Sequence, residues 1–335
     1  EDKEVTAKTD GYDLTKQQKE GDKFIARGEE VTFEIITTFP SFENPAETHS
    51  YKIVDTPEGL DIEDVESIFV GGTQLEKDRD FTVSEVSNGD GSTQSYTINF
   101  TSAFIGQDNA YAGQTVTVSY KAIVTANDGY KNTANAWRDE DDSLGEETEE
   151  GYTASVVLTK FNADKSNTLK GAEFNVYKMT AEQYAKLVKN EYDITKVTDA
   201  DGSALEPLTF VVKEGSYQLA LNSEEGNAAV VTGEDGTLTI KGLDEGTYWF
   251  KETLAPEGYS INKEGTYIEI TEEEAEQAIE KKKDISKETS LTDTKLSELP
   301  STGGIGTTIF TIGGCTIMIA AAGLYFASRR KQENK

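Results

Sequence analysis

The chain of 335 residues contains one cysteine, one histidine, two methionines and six prolines. A lone cysteine, Cys315, rules out any intramolecular disulfide, so stability must come from packed cores or from another kind of bond. With His49 as the single histidine, a multi-histidine metal site cannot be assembled, and Ser/His/Asp chemistry is confined to one position. In NPAETHSYK that residue is expected at a strand edge. Positive charge is also scarce, with 32 Lys and Arg against 62 Asp and Glu and a net charge of −30. No basic stripe is present that would displace counterions from a phosphate backbone, which excludes nucleic acid as a partner. No metal-ligand set, cofactor motif or catalytic constellation aimed at a separate substrate is found, so an enzyme is not expected.

What is present is a folded, strand-rich pattern. Aromatic residues make up 9% and apolar residues 36% of the chain. EVTFEIITTF, HSYKIVDT, SYTINFTS and TVTVSYKAIVTA alternate apolar and polar positions between turn clusters such as NGDGS, and TASVVLTKF, AEFNVYK, GSYQLAL, GTLTIKGL and GTYWFKET do the same further on. This predicts an all-β protein with two Ig-like β-sandwich domains in tandem, residues 1–137 and 152–297. RDEDDSLGEETEEG, residues 138–151, is a run of acids with glycine, as expected of a solvated linker. Two helices are expected in the second domain. One starts at Thr180 in TAEQYAKLVK, and the other has a capping box of Thr271 with Glu274 in TEEEAEQAIEKKK.

Residues 298–335 differ from the rest. Ile305 to Ala327 form an uncharged run of 23 residues, long enough at about 1.5 Å per residue to cross a bilayer as a helix, and Arg329, Arg330 and Lys331 follow it. The basic flank predicts that the tail is cytoplasmic and residues 1 to about 300 lie outside. Just before the run stands LPSTG, Leu299, Pro300, Ser301, Thr302 and Gly303. Pentapeptide, apolar span and basic tail in this order resemble the cell-wall sorting signal of Gram-positive surface proteins. The resemblance implies cleavage by a sortase between Thr302 and Gly303 and transfer of Thr302 to an amine. Glu1 is not an initiator Met and no signal peptide is visible, so a mature form or a fragment is expected.

LKGAEFNVYK followed by GLDEGTYWFKETLAPEGY resembles the CnaB-type, prealbumin-like domain of Gram-positive pilins, whose E-box reads YxLxETxAPxGY; Phe250 stands here for Leu. That family joins a strand Lys to an Asn or Asp on the last strand with the help of a Glu, forming an intramolecular isopeptide bond. Carried over, the residues are Lys160, Asp293 and Glu252, with Asn162 and Asp284 as weaker rivals. Independently of the resemblance, alternation places Lys160 on the face of Val156 and Leu158, and Asp293 on the face of Leu291. The first domain resembles the fimbrial isopeptide-forming domain. The resemblance implies Lys8, with Lys3 as its alternative, bonded to Asn132 and assisted by Asp55.

The expected protein is a structural fimbrial or pilus subunit anchored at the cell wall after a transient membrane-inserted stage. Its partners would be a sortase and, as amine acceptor, a peptidoglycan precursor or another subunit. A wall-anchored adhesin for a host or matrix ligand is the alternative. Backbone pilins carry a YPKN-like acceptor lysine, and none is found; Tyr177 and Lys178 in NVYKMT have no proline. Either a domain bearing that motif precedes this stretch, or the chain is a basal or minor subunit.

Overall fold

The computed structural model describes residues 12–296 apart from 45, 46, 107 and 141. Two β-sandwiches follow one another. The first pairs a sheet of Thr15–Glu20, Glu30–Thr38, Thr115–Val124, Leu60–Val70 and Thr73–Gln74 with a sheet of Asp142–Gly151, Tyr130–Arg138, Tyr51–Glu58, Thr93–Phe100 and Phe81–Ser87. In the second, Phe210–Lys213, Ser216–Leu219, Thr237–Leu243, Ala154–Asn162 and Ile285–Asp293 face Ala229–Val231, Glu173–Met179, Gly246–Leu254 and Thr266–Ile270.

The alternating segments are the central strands. Val31, Phe33 and Ile35 point inward from Glu30–Thr38, and Val116, Val118, Tyr120 and Ala122 from its neighbour. Each fully buried large apolar side chain contributes about 1.5–3 kcal/mol. In the second sandwich Val156, Leu158, Phe174, Val176, Ile240 and Phe250 form the core. Residues 180–208 cross the outer face of the Gly246–Leu254 strand and cover Trp249 with Leu187 and Val197. The helix within that insertion, Ala181–Lys189, starts at Thr180, whose side chain accepts from the Gln183 N–H. The other, Glu272–Lys281, carries the Thr271–Glu274 capping box.

One expectation is corrected. Residues 138–151 are not a linker, because Asp142–Gly151 is a strand paired antiparallel with Tyr130–Arg138, Thr148 opposite Thr133 and Gly151 opposite Tyr130. An edge strand needs only backbone partners, so an exposed run of acids satisfies it as well as an apolar one.

The sandwiches meet with hardly any spacer, and residues 23–28 stitch them together. Phe24 packs into the second core while Ile25 packs into the first. Tyr152 N donates to Lys23 O (2.6 Å) and Ile25 N to Tyr152 O (2.9 Å). Arg27, 4% exposed, donates from Nε to Thr125 O (2.9 Å) in the first sandwich. Its other nitrogens reach Leu219 O and the Glu224 carboxylate (2.7 and 3.0 Å) in the second. Gly242 is required at this joint: its φ is +78°, and an added Cβ would lie 2.8 Å from the Arg27 Cβ.

The LPSTG motif and the expected membrane span 305–327 lie outside the described residues. Among the described residues, no helix is long and apolar enough to cross a membrane.

Candidate functional site

Each sandwich buries one lysine amine against a carboxylate. In the second, the first strand, Ala154–Asn162, and the last, Ile285–Asp293, run parallel with Lys160 opposite Leu291 and Asn162 opposite Asp293. Lys160 is 0%, Asp293 2% and Glu252 4% exposed. Lys160 Nζ donates to Asp293 Oδ1 and lies 2.8 Å from Glu252 Oε1, a contact without hydrogen-bond alignment. The Phe174 ring lies under the amine, with the centroid 5.7 Å away. Asp293 Oδ2 has no hydrogen-bond partner among the described residues.

The residues after Glu252 explain its placement. Pro256 and Gly258, the latter at φ +82°, turn the chain so that Tyr259 N donates to Pro256 O (3.0 Å). The returning segment runs beside the end of the last strand, Ser260 N donating to Thr294 O (3.0 Å). Asn262 then donates its N–H to Glu252 Oε2 (2.7 Å) and its Nδ2 to Thr292 O (3.1 Å), tying the acid to the strand that carries Asp293. Burial pushes the Glu252 carboxyl above its ordinary range, opposed by the adjacent Lys160 amine. Neither rival takes part: Asn162 accepts from Asn167 N (3.1 Å) in a turn, and Asp284 accepts from Thr153 N (2.9 Å).

In the first sandwich Asp55 and Asn132 come together as expected. Their strands pair with Asp55 opposite Ala134 and Pro57 opposite Asn132, so both side chains enter the core. Lys8 and its alternative Lys3 lie outside the described residues. The amine that meets Asp55 is that of Lys16, which sequence reasoning missed. Lys16 is the single inward position of Thr15–Glu20, whose other side chains are polar and largely exposed. The available signal was Leu14, buried on the same face two residues earlier.

Burial lowers the Lys16 amine below its ordinary range, and the attraction of Asp55 opposes this. The amine sits over the rings of Phe33 (5.2 Å) and Tyr120 (5.5 Å). The Tyr120 hydroxyl donates to Asp55 Oδ2 and accepts from Asn132 Nδ2 (3.0 Å), a role that sequence reasoning missed. Asn132 Oδ1 is buried without a partner.

His49 is occupied structurally just before Tyr51–Glu58. Its ring stacks on Phe42 at 4.5 Å, with Nε2 2.8 Å from Asn44 O and Nδ1 3.2 Å from Asp139.

Two sandwiches, each with a buried lysine against an acid from another strand, ahead of a sorting-type sequence define a wall-anchored surface protein of the pilin class. Residues 154–285 match the SpaA family, described as a prealbumin-like fold domain, and residues 292–334 match the LPXTG cell wall anchor motif. The chain thus carries a SpaA-type domain followed by a cell wall anchor, and belongs with the sortase-anchored pilins at the cell wall. It is 29% identical over 207 residues to the trypsin-resistant surface T6 protein of Streptococcus pyogenes serotype M6, covering 54% of this chain and 37% of that protein. With fimbrial subunit type 1 of Actinomyces viscosus the identity is 27% over 191 residues, covering 54% and 33%. The chain thus spans well under half the length of these relatives. In fold it resembles the pilus 2b backbone protein of group B streptococcus, with a TM-score of 0.55 at 19% identity over 85% of this chain and 99% of that one. The major pilin SpaA of Corynebacterium diphtheriae gives 0.52 at 13% identity, covering 85% and 69%.

Proposed function

We propose that the chain is a structural subunit of a fimbria or pilus, hardened by one amide bond in each sandwich and joined through Thr302 by a sortase. The acceptor amine belongs to a peptidoglycan precursor or to another subunit. The observation that carries this reading is the Lys160 amine, wholly buried between Asp293 and Glu252 on three separate strands. A buried charged cluster of this kind is costly to maintain as ions. Converting it into a neutral amide removes that cost.

At the second site, Lys160 Nζ bonds to Asp293 Cγ, one Cγ–O bond breaks, and water leaves. The ammonium and carboxylate together supply every atom of the amide and the water, so no co-reactant is needed. Glu252 relays the proton from amine to leaving oxygen, a role suited to a carboxyl whose pKa is raised by burial so that it holds a proton more readily. At the first site, Lys16 Nζ bonds to Asn132 Cγ and ammonia leaves, with Asp55 accepting the ammonium proton. The lowered Lys16 amine helps, since only the neutral form is nucleophilic.

Intact mass tests both bonds together. Loss of one water and one ammonia lowers the mass by about 35 Da, and an unshifted mass would remove both.

A further inference from the structure

We propose that Tyr120 is a catalytic residue of the first-domain bond, passing a proton from Asp55 to the leaving nitrogen of Asn132. This rests on the Lys16–Asn132 reading above. The phenol oxygen is bonded on one side to Asp55 Oδ2 and on the other to Asn132 Nδ2 at 3.0 Å, the atom that must depart. Asp55 touches Lys16 through its other oxygen, Oδ1. Asp55 and the Tyr120 hydroxyl therefore form a continuous path from the attacking amine to the leaving group. Among the described residues Asn132 Oδ1 has no partner, and the acceptor amide is held through its nitrogen.

The balance requires such a path. Lys16 begins as an ammonium with three protons and ends as an amide nitrogen with one. One released proton stays on Asp55. The other must reach Nδ2, because an amide nitrogen leaves as NH3 and not as an amide anion. When Lys16 Nζ adds to Cγ, Nδ2 turns pyramidal and gains a lone pair. Tyr120 then gives Nδ2 its proton while taking one from Asp55, the Cγ–Nδ2 bond breaks, and ammonia departs. Tyr120 ends as it began, and no free phenolate forms. The second sandwich has no counterpart among the described residues, since no hydroxyl is hydrogen-bonded to Glu252 or Asp293.

The test is Tyr120→Phe in the full chain, synthesised cell-free in detergent, with samples acid-quenched over time and both bonds followed by mass in the same molecules. The ring and its packing are kept and only the hydroxyl is lost. Proton transfer by a positioned group is worth about 100-fold or more, so the loss of about 17 Da should slow by that factor while the second-domain loss of about 18 Da proceeds on time. Lys16→Ala gives the trace with no first-domain bond. An unchanged rate in Tyr120→Phe overturns the relay but spares the bond, whereas a wild-type chain indistinguishable from Lys16→Ala overturns both. Should Tyr120→Phe fail to fold, the wild type decides: deuterated solvent should slow the first-domain bond more than the second, and equal slowing overturns the relay.

Discussion

Lys160 and Asp293 face each other near the far ends of the first and last strands of the second sandwich, and those strands run parallel with Asn162 directly opposite Asp293. The acceptor is an aspartate where asparagine is common in the resembled family, and this fixes the leaving molecule. Asp293→Asn should keep the bond but release ammonia, so the second-domain mass loss changes from about 18 to about 17 Da. Glu252→Ala should leave that mass unshifted. Lys160→Ala, which strands two buried carboxyls, should cost about 3–5 kcal/mol in addition to the missing bond, measured by thermal unfolding.

The first-domain lysine is decided by two variants. Lys16→Ala should abolish the ammonia loss from this domain and leave Asp55 without its cation, whereas Lys8→Ala should leave the loss intact. Peptide mapping of the crosslinked pair reads this directly, and a linkage found at Lys8 would refute the assignment of Lys16.

Arg27 predicts a stiff joint. Arg27→Ala removes hydrogen bonds to both sandwiches and should cost about 1–3 kcal/mol, with Glu224 part-exposed and able to rehydrate. Small-angle scattering should show a wider spread of interdomain angles, and an unchanged profile would mean that residues 23–28 hold the joint without the guanidinium.

The same ion pair sets a pH dependence. The hydrogen bonds from Arg27 hold the Glu224 carboxyl down to about 2. An acid depressed in the folded state contributes stability above its ordinary value of about 4.3 and loses it as pH falls through the folded value. The stability gap between wild type and Glu224→Gln should therefore be constant from neutral pH to about 4.3 and close between there and about 2. Chemical denaturation at several pH values checks it.

Thr302 lies in the LPSTG motif, within residues 292–334 that match the cell wall anchor. Thr302→Ala should leave the chain with its hydrophobic tail and extractable by detergent, whereas the natural chain should resist extraction until the wall is digested. Recovery of the natural chain with its tail intact would end the sorting reading.

Central strands were legible in the sequence because each buries one face against a core: Val116, Val118, Tyr120, Ala122 and Val124 turn inward at every second position. Edge strands were not. Asp142–Gly151 buries Leu144 and Gly151 among acids, and Thr15–Glu20 buries Lys16 alone. Alternation reports the burial of side chains, and these two strands are held by backbone pairing instead. The second site was easier to read because Lys160 follows Val156 and Leu158 on one face, and the E-box places Glu252. Tyr120 shows a further limit. Its ring was predictable as core, but the partners of its hydroxyl come from strands 65 residues upstream and 12 downstream.

The parallel first and last strands have a mechanical consequence. With both bonds closed, tension entering near Lys16 crosses to Asn132, follows the chain to Lys160 and leaves through Asp293. Residues 17–131 and 161–292 then carry none of it. Only 133–159 remain in line, and within them the hairpin of Tyr130–Arg138 with Asp142–Gly151 is the one folded piece free to pay out length. A single molecule stretched end to end should lengthen by that hairpin and little more, so the acidic edge strand becomes the give in an otherwise inextensible rod.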